Sequence, residues 1–454
     1  MSEVADSTSD ERISWPALIK GLPNEVFEKV LSYLSASDLG HASMVSHSWR
    51  DATNVDALWI HLCLVNNWMK FGLNTHILSE PDIPLDKAVS HHSPSFTYKV
   101  PKSISLPSPC KWKMTYMRCL HLMRNWQHGR YVVEPILRGH KEKVLALDSN
   151  DTVIVSGGAD SRLRIWDIES RLCLHDIQVP NNDAINAVKI IEDTVVAGCS
   201  DGSIKVYNAY TASLVATLWS HIGSVDHIAF DGRTVTSCSA DKTLKVWDLC
   251  QSIGKLKYTL HGHTDEIEFL STHKDLAVTG SWDRLLIMWD ISKGVLVCTL
   301  SGHTEVVTCC QFDNYQLVSG SADGTVRIWS TNSGKCKRTL TGHLGEVYCV
   351  VYNESVIASG SSDSTVKIWD FSGKCIHTLG EHLGVVRCLY IDDYKLISGG
   401  DAKKLMVWNY KTGELFNIIH RQPTLLHLML VTDTKLVTAS PERPGTITML
   451  SYWK

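Results

Sequence analysis

The sequence predicts a mainly β chain: an eight-bladed β-propeller preceded by a small all-α domain and a helical linker. Three observations predict it. A four-residue pattern recurs on a fixed pitch, short strand-like runs and turns separate its members, and apolar residues near the N-terminus follow a helical period instead.

The repeat comes first. Five times a His is followed by Ser or Thr 16 residues on, Asp 20 on and Trp 26 on: His140/Ser156/Asp160/Trp166, His221/Ser237/Asp241/Trp247, His263/Thr279/Asp283/Trp289, His303/Ser319/Asp323/Trp329 and His343/Ser359/Asp363/Trp369. An offset that returns about every 40 residues is the signature of a repeat architecture. His, Ser and Asp together suggest a nucleophilic triad, but an enzyme needs one such constellation, not five on a fixed pitch. Two strand-like runs lie between His and Trp, as in Gln316–Ser321 and Thr325–Trp329, split by the turn Ala322-Asp323-Gly324. Short β-rich runs broken by such turns read as antiparallel hairpins. A buried indole N–H, hydroxyl and imidazole each need a partner once out of water. A relay Asp–His–Ser–Trp would satisfy all four side chains, and half-broken it becomes a liability.

Gly139-His140, Ser220-His221, Gly262-His263, Gly302-His303, Gly342-His343 and Glu381-His382 carry Gly-His or a relic of it, and the pattern resembles WD repeats. The units fall near 139–167, 180–208, 220–248, 262–290, 302–330, 342–370, 381–409 and 420–451. The second is degenerate, with Asn181, Ala197, Asp201 and Tyr207 at the four places. The seventh keeps His382, Ser398 and Trp408 but has Ala402 at the Asp offset, with Asp401 one place early. The eighth reads Leu425–Val431, Lys435–Ala439 and Thr446–Leu450. A lone strand, Tyr131–Leu137, precedes the first unit and would complete the last blade, removing the free edges of an open sheet.

Residues 16–64 hold three helical patterns. Pro23 suits a first helical turn, and Val26, Phe27, Val30, Leu31 and Leu34 form an apolar stripe. Ser37 and Asp38 read as the N-cap of a second helix carrying Leu39, Ala42, Val45 and Trp49, and a third carries Leu58, Trp59, Leu62 and Leu64. So small a domain cannot enclose all these groups, so part of the stripe is expected to face another protein. Leu22-Pro23-Asn24-Glu25-Val26, Val30-Leu31-Ser32-Tyr33-Leu34, Asp38-Leu39, Val45-Ser46, Trp49-Arg50 and Leu58-Trp59 resemble an F-box.

The two resemblances together, F-box followed by WD repeats, cover most of the chain and imply a non-catalytic substrate receptor of a Skp–cullin–F-box ubiquitin ligase. They imply that a Skp-type adaptor, and through it a cullin, binds Leu22, Pro23, Glu25, Val26, Val30, Leu31, Leu34, Leu39, Val45, Trp49, Leu58 and Trp59. The ring would bind the protein substrate. A scaffold that uses the ring alone is the alternative, since propellers serve many roles. Relatives that dimerise use a long helix before the F-box, whereas about fifteen Ser-, Asp- and Glu-rich residues precede it here, so no self-dimerisation is expected.

Residues 1–15 read as disordered and 65–130 as the linker, ahead of the ring at 131–454. Within the linker, 77–110 hold six of the thirteen prolines without periodicity, a flexible or polyproline-like loop. Trp112, Tyr116, Leu120 and Met123 then share one helical face, predicting a stalk that carries the ring.

At 454 residues and 44% hydrophobic the chain can bury a large core. A net charge of −4 provides no general field for nucleic acid. Apolar runs are strand-length, short of a membrane span, and the opening Met-Ser-Glu-Val-Ala-Asp lacks the order of a signal peptide. None of the 14 cysteines forms Cys-x-x-Cys, so no metal or other cofactor is expected, and they read as small buried hydrophobes of a reducing compartment, cytoplasm or nucleus.

Two positions per blade should face the ring's opening. One, at the start of the innermost strand, reads Leu145, Asn186, Asp226, Glu268, Thr308, Tyr348, Arg387 and His427. The other, before the turn Asp, reads Ala159, Ser200, Ala240, Trp282, Ala322, Ser362 and Gly400. Two residues ahead of the first series come Lys143, Ser224, Glu266 and Glu346. Receptors of this family that take phosphorylated segments place arginines at such positions, because paired guanidinium groups clamp phosphate. Here Asp226, Ala240 and Glu268 stand there and Arg387 is the one cation of the first series. The face is therefore expected to take a basic, neutral or apolar segment, with Asp226, Glu266, Glu268, Trp282, Glu346, Tyr348 and Arg387 as its contacts; the alternative is that these acids are solvated rim and that the site lies on a side or the lower face.

Overall fold

A computed structural model describes residues 24–69, 71, 109–180, 183–250, 254–401, 404–420, 428–440 and 442–453. Residues 1–15, Leu22, Pro23, Asn181, Ala402, His427 and nearly all of the 77–110 stretch lie outside the described residues. The chain divides into two compact units, with the boundary after Met123.

The first unit is helical. Four helices are described between residues 24 and 65: α1 (Asn24–Leu31), α2 (Ala36–Val45), α3 (His47–Thr53) and α4 (Asp56–Val65). The single helix predicted to run from Leu39 to Trp49 is broken at Ser46, whose backbone is extended and whose hydroxyl accepts the Trp49 N–H at 3.3 Å. The cap of α2 is Ser35 rather than Ser37 or Asp38: its hydroxyl accepts the Asp38 N–H at 3.2 Å and donates to the Asp38 carboxylate at 2.6 Å. Leu31, Leu39, Leu58 and Trp59 form the core, with Leu34, Trp49, Leu62, Trp112 and Tyr116 packed against it. The Trp59 indole donates to the Thr53 carbonyl at 2.7 Å.

A fifth helix, α5 (Lys111–His128), starts on this core: Cys110 N–H donates to Asn54 at 2.7 Å and Trp112 N–H to Asp56 at 3.0 Å. Its fully buried residues are Thr115, Arg118, Cys119, Leu122, Asn125 and Trp126, a different stripe from the predicted Trp112–Tyr116–Leu120–Met123 face, whose members are half-buried.

The second unit is the ring. Seven four-stranded antiparallel sheets follow one another over Val144–Gln178, Ile185–Trp219, Val225–His261, Ile267–Leu300, Val307–Leu340, Val347–Leu379 and Val386–His420. The eighth comprises Leu428–Val431, Lys435–Ala439 and Thr446–Ser451, and its outer edge comes from the start of the ring. The lone N-terminal strand is two pieces, Val132–Val133 and Leu137–Arg138, paired with the same partner through Val132↔Ser451 and Leu137↔Ile447. The innermost strands adjoin in sequence all the way round, the eighth touching both the seventh and the first. The ring therefore closes with eight blades, the number predicted, and leaves no open end.

Val155, Ile165, Ile185 and Val195 illustrate how blades cohere: each is fully buried between blades 1 and 2, and similar apolar layers fill the other joints. In six blades the residue after the turn Asp has a left-handed backbone, whether glycine (Gly202, Gly324) or not (Ser161, Lys242, Arg284, Ser364). The hydrogen bonds of the turn Asp hold this conformation at the four positions where a Cβ disfavours it.

A candidate binding rim and the tetrads beneath it

In the five complete units the four side chains are joined. In blade 1, His140 Nδ1 lies 2.9 Å from Asp160, its Nε2 lies 2.8 Å from the Ser156 hydroxyl, and the Trp166 indole donates to Ser156 at 2.9 Å. Blade 3 repeats this with His221 to Asp241 at 2.7 Å, His221 to Ser237 at 2.9 Å and Trp247 to Ser237 at 3.0 Å. In blade 4 a threonine serves: His263 to Asp283, His263 to Thr279 and Trp289 to Thr279 are each 2.8 Å. Blade 5 has His303 to Asp323 at 2.9 Å, His303 to Ser319 at 2.8 Å and Trp329 to Ser319 at 2.9 Å. In blade 6, His343 to Asp363, His343 to Ser359 and Trp369 to Ser359 are each 2.8 Å.

An ionised carboxylate can only accept, so Nδ1 carries the proton, Nε2 accepts from the hydroxyl and the hydroxyl accepts from the indole. Burial holds the His140 and His343 rings below their ordinary range and hence neutral. Burial would raise the Asp carboxyls too, but at Asp241, Asp323 and Asp363 the bonds from His and Thr overcome it and hold them low.

The members sit at different depths, which fixes what each can do. Ser156, Ser237, Thr279, Ser319 and Ser359 are fully buried, and Trp166, Trp247, Trp289, Trp329 and Trp369 nearly so. None of these ten can touch a ligand, and they join no binding site. The Asp side chains, Asp160 among them, are mostly covered but reach the turn next to the surface. The tetrads are thus internal struts, separate from the rim residues above them.

Two units depart from this scheme. In blade 7 His382 reaches Ser398 at 2.7 Å and Trp408 donates to Ser398 at 2.8 Å, while buried His382 Nδ1 has no hydrogen-bond partner among the described residues. Burial, helped by the Lys404 charge, pushes its pKa down to about 4. In blade 2 the buried amine of Lys205 lies 3.0 Å from Ser203 and 3.7 Å from Asp201, so a cation from the neighbouring strand reaches the turn Asp. Sequence reasoning missed Lys205; the signal was a turn Asp whose His, Ser and Trp were missing, with a Lys four residues on.

The tetrads fix the surface above them. Besides binding His, each turn Asp accepts the N–H of the residue that follows the His, as from Lys141 to Asp160 at 2.9 Å, Ile222 to Asp241 at 3.1 Å and Leu344 to Asp363 at 2.9 Å. That leaves the side chains of Ile222 and Leu344 outside, 94% and 95% exposed, and Leu383 in the same place of blade 7 is 81% exposed.

Both predicted series lie on this rim. The N–H of the residue before the turn donates to the carbonyl two residues ahead of the first series: Ala240 to Ser224 at 3.1 Å, Trp282 to Glu266 at 3.0 Å, Ser362 to Glu346 at 2.9 Å. In blade 7 the donor is Asp401, bonded to Val385 at 3.0 Å, whereas Gly400 pairs with Val386 inside the strand. Asp401, not Gly400, therefore occupies the second-series position.

In blades 1 to 7 the ladder skips one residue near the start of the innermost strand, and the skipped residues are Leu145, Asn186, Asp226, Glu268, Thr308, Tyr348 and Arg387. Every first-series position with a described residue is thus the extra residue of a β-bulge, a device that re-aims a side chain out of the sheet. The structure then brings the candidates together in groups. Asp226 accepts from the Asn186 amide at 3.0 Å and the Ser224 hydroxyl at 2.9 Å. Glu268 accepts the Trp282 indole N–H at 2.8 Å, and Glu346 accepts the Tyr348 hydroxyl at 2.6 Å. The Arg387 guanidinium sits 5.0 Å over the Tyr348 ring and donates to Asp401 at 2.9 Å. Arg387, the one cation of the first series, thus has its charge met within the rim.

The residues assigned to adaptor contact divide. Val26, Val30 and Val45 are exposed, as are Tyr33, Met44, Leu64 and Val65, and Leu34 and Trp49 are half-buried. Leu31, Leu39, Leu58 and Trp59, also expected among the contact residues, lie instead in the domain's own core and are closed to direct contact with a partner. Glu25 lies in α1.

A closed eight-bladed ring built on repeated His–Ser–Asp–Trp networks is a WD-repeat propeller. The WD domain, G-beta repeat model matches residues 132–167, 212–248, 254–290, 294–330, 334–370 and 373–409, and the F-box-like model matches residues 19–65. The chain belongs to the F-box/WD-repeat family. It is similar to the probable E3 ubiquitin ligase complex SCF subunit sconB of Arthroderma benhamiae, 30% identical over 155 residues, or 34% of this chain and 23% of that protein. It is also similar to Cell division control protein 4 of Saccharomyces cerevisiae, 23% identical over 350 residues, 60% of this chain and 42% of that one. The matches thus span less than half the length of these relatives. Among solved structures, the computationally designed Ika8 protein superposes with a TM-score of 0.65 at 28% identity, over 70% of this chain and 98% of that one.

Among the described residues no helix is long and apolar enough to cross a membrane, and no group of His, Cys, Asp and Glu could hold a metal ion.

Proposed function

We propose that this protein is a substrate-binding subunit of a Skp–cullin–F-box ubiquitin ligase. In this reading the F-box-like helices hold a Skp-type adaptor, the adaptor holds a cullin, and the ring holds the protein to be ubiquitinated. The chain itself performs no chemistry; it raises the local concentration of a substrate lysine near the transferred ubiquitin. Such a role belongs in the cytoplasm or nucleus.

The observation that carries the reading is the apolar surface of the first unit. Val26, Val30, Tyr33, Met44, Val45, Leu64 and Val65 all stand exposed on or beside helices whose own core is the small cluster of Leu31, Leu39, Leu58 and Trp59. So many large apolar side chains left in water on so small a domain mark a partner surface. The name that the Arthroderma relative carries, a subunit of an SCF complex, supports the same assignment.

Co-expression of the full chain with a Skp-type adaptor tests it. The adaptor should co-purify with the wild type and be lost from a Val30→Glu, Val45→Glu double variant that keeps its melting temperature. An adaptor signal that persists in this variant contradicts the assignment. A chain that never binds adaptor but still captures ring partners would be a ring-only scaffold.

A further inference from the structure

The rim carries two features that the receptor role alone does not explain. The first is apolar: Ile222, Leu344 and Leu383 project from blades 3, 6 and 7, the first two held outward by loops that the tetrads anchor, and Trp282 of blade 4 is 53% exposed. At the equivalent loop position blades 1, 4 and 5 have Lys141, Thr264 and Thr304. A loop whose backbone is already fixed by hydrogen bonds beneath it loses little backbone entropy when a partner covers its side chains.

The second is charge. Asp226, Glu268 and Glu346 are each held by a neutral donor (an amide, a hydroxyl or an indole), which orients the carboxylate without cancelling it. Glu266 precedes Glu268 on the same exposed strand start. The cation among the bulge residues, Arg387, is neutralised by Asp401, and Lys242 lies 3.7 Å from Asp265. In blades 3 to 6 the bulge residues and those two places ahead of them thus include four carboxylates and no cation. Trp282 also presents its ring beside Glu268 with its N–H already engaged, leaving the π-face for a ligand.

From these we infer that the rim docks a basic, unphosphorylated segment of a partner protein, a Lys or Arg side chain lying against Trp282, Glu266 and Glu268 and apolar side chains meeting Leu344 and Leu383. Cation–π contact and carboxylate attraction act together on such a side chain. A phosphate on the segment meets like charge and weakens the complex, so phosphorylation releases this partner instead of recruiting it. Calling the partner a ligase substrate rests on the function proposed above; the docking chemistry does not.

The test pans a random dodecapeptide display library on the purified full chain, then measures recovered peptides by fluorescence anisotropy. Recovered peptides should be rich in Lys or Arg with Leu or Ile. Their affinity should fall about thirtyfold in Trp282→Ala, the loss of a central aromatic anchor, and about tenfold in Glu268→Lys. One phosphoserine placed in the same peptide should weaken it further, and added salt should weaken wild-type binding. Recovery of acidic peptides or of none, tighter binding on phosphorylation, or unaltered affinity in correctly melting Trp282→Ala would overturn the inference. Adaptor co-purification is read separately on the same material, so either conclusion can fail alone.

Discussion

Arg387 donates its Nε–H to Asp401 at 2.9 Å, joining the bulge of blade 7 to the residue before its turn. The pairing uses two irregularities of one repeat. The turn has Ala402 at the usual Asp offset, with the acid one place early, and that displacement puts a carboxylate on the rim opposite the guanidinium.

Both partners are partly exposed, so the ion pair contributes little to folding. Asp401→Asn should lower the unfolding free energy by no more than about 1 kcal/mol in urea titration, while its loss of a negative charge weakens basic peptides a few-fold. A loss of several kcal/mol would mean that the pair holds blade 7 together.

The tetrads should respond differently. Ser319→Ala orphans both the His303 Nε2 and the Trp329 N–H in a buried site, with an expected cost of about 1–3 kcal/mol by chemical denaturation. Ser319→Thr should cost less than about 1 kcal/mol, because Thr279 accepts the Trp289 N–H at 2.8 Å in blade 4. Equal losses in the two variants would contradict the relay.

Acid should act in two stages. His140, His343 and His382 are held neutral by burial, with pKa values below 6.5 in the fold. The unfolded chain therefore binds more protons between about pH 6.5 and 4, and stability falls as pH drops through that window. The depressed Asp241, Asp323 and Asp363 carboxyls contribute stability above their unfolded pKa that is lost only as pH falls below about 4. Melting temperatures from pH 8 to pH 3 check this; a melting point that rises from pH 7 to pH 5 would contradict it.

Trp126 should be the most sensitive position near the ring's closure. Its ring stacks on Tyr452 at 3.5 Å, its N–H donates to the Asp433 carbonyl at 3.0 Å, and Lys395 lies 4.5 Å above it. Trp126→Ala is expected to cost about 3–5 kcal/mol, and Trp126→Phe, which keeps the stacking surface, clearly less. Thermal unfolding of the two variants decides.

The ring was legible because its tetrads repeat as chemistry: a His, a hydroxyl, an Asp and a Trp at constant offsets must meet if they are buried. The closure by the N-terminal strand followed from one unplaced run, and its break between Val133 and Leu137 falls at Pro135, which has no N–H to give the ladder. The bulges were illegible for a physical reason. An extra residue that blades 1 to 7 share alters no spacing between their repeats, so the pattern placed Asp226, Glu268 and Tyr348 at the strand start without showing that the ladder skips them. Pairing inside a site was hidden as well: Arg387 reads as a cation until Asp401 is seen beside it. In the helical unit, apolar periodicity marked Val30 and Leu31 alike, yet only the packing of four helices decides that Leu31 turns inward and Val30 outward.

The most direct measurement is the mass of the purified complex after co-expression with a Skp-type adaptor, by size-exclusion chromatography with light scattering. One adaptor per chain, lost on Val30→Glu and Val45→Glu while the ring still melts cooperatively, is the result expected. A chain that elutes alone beside free adaptor would contradict the account.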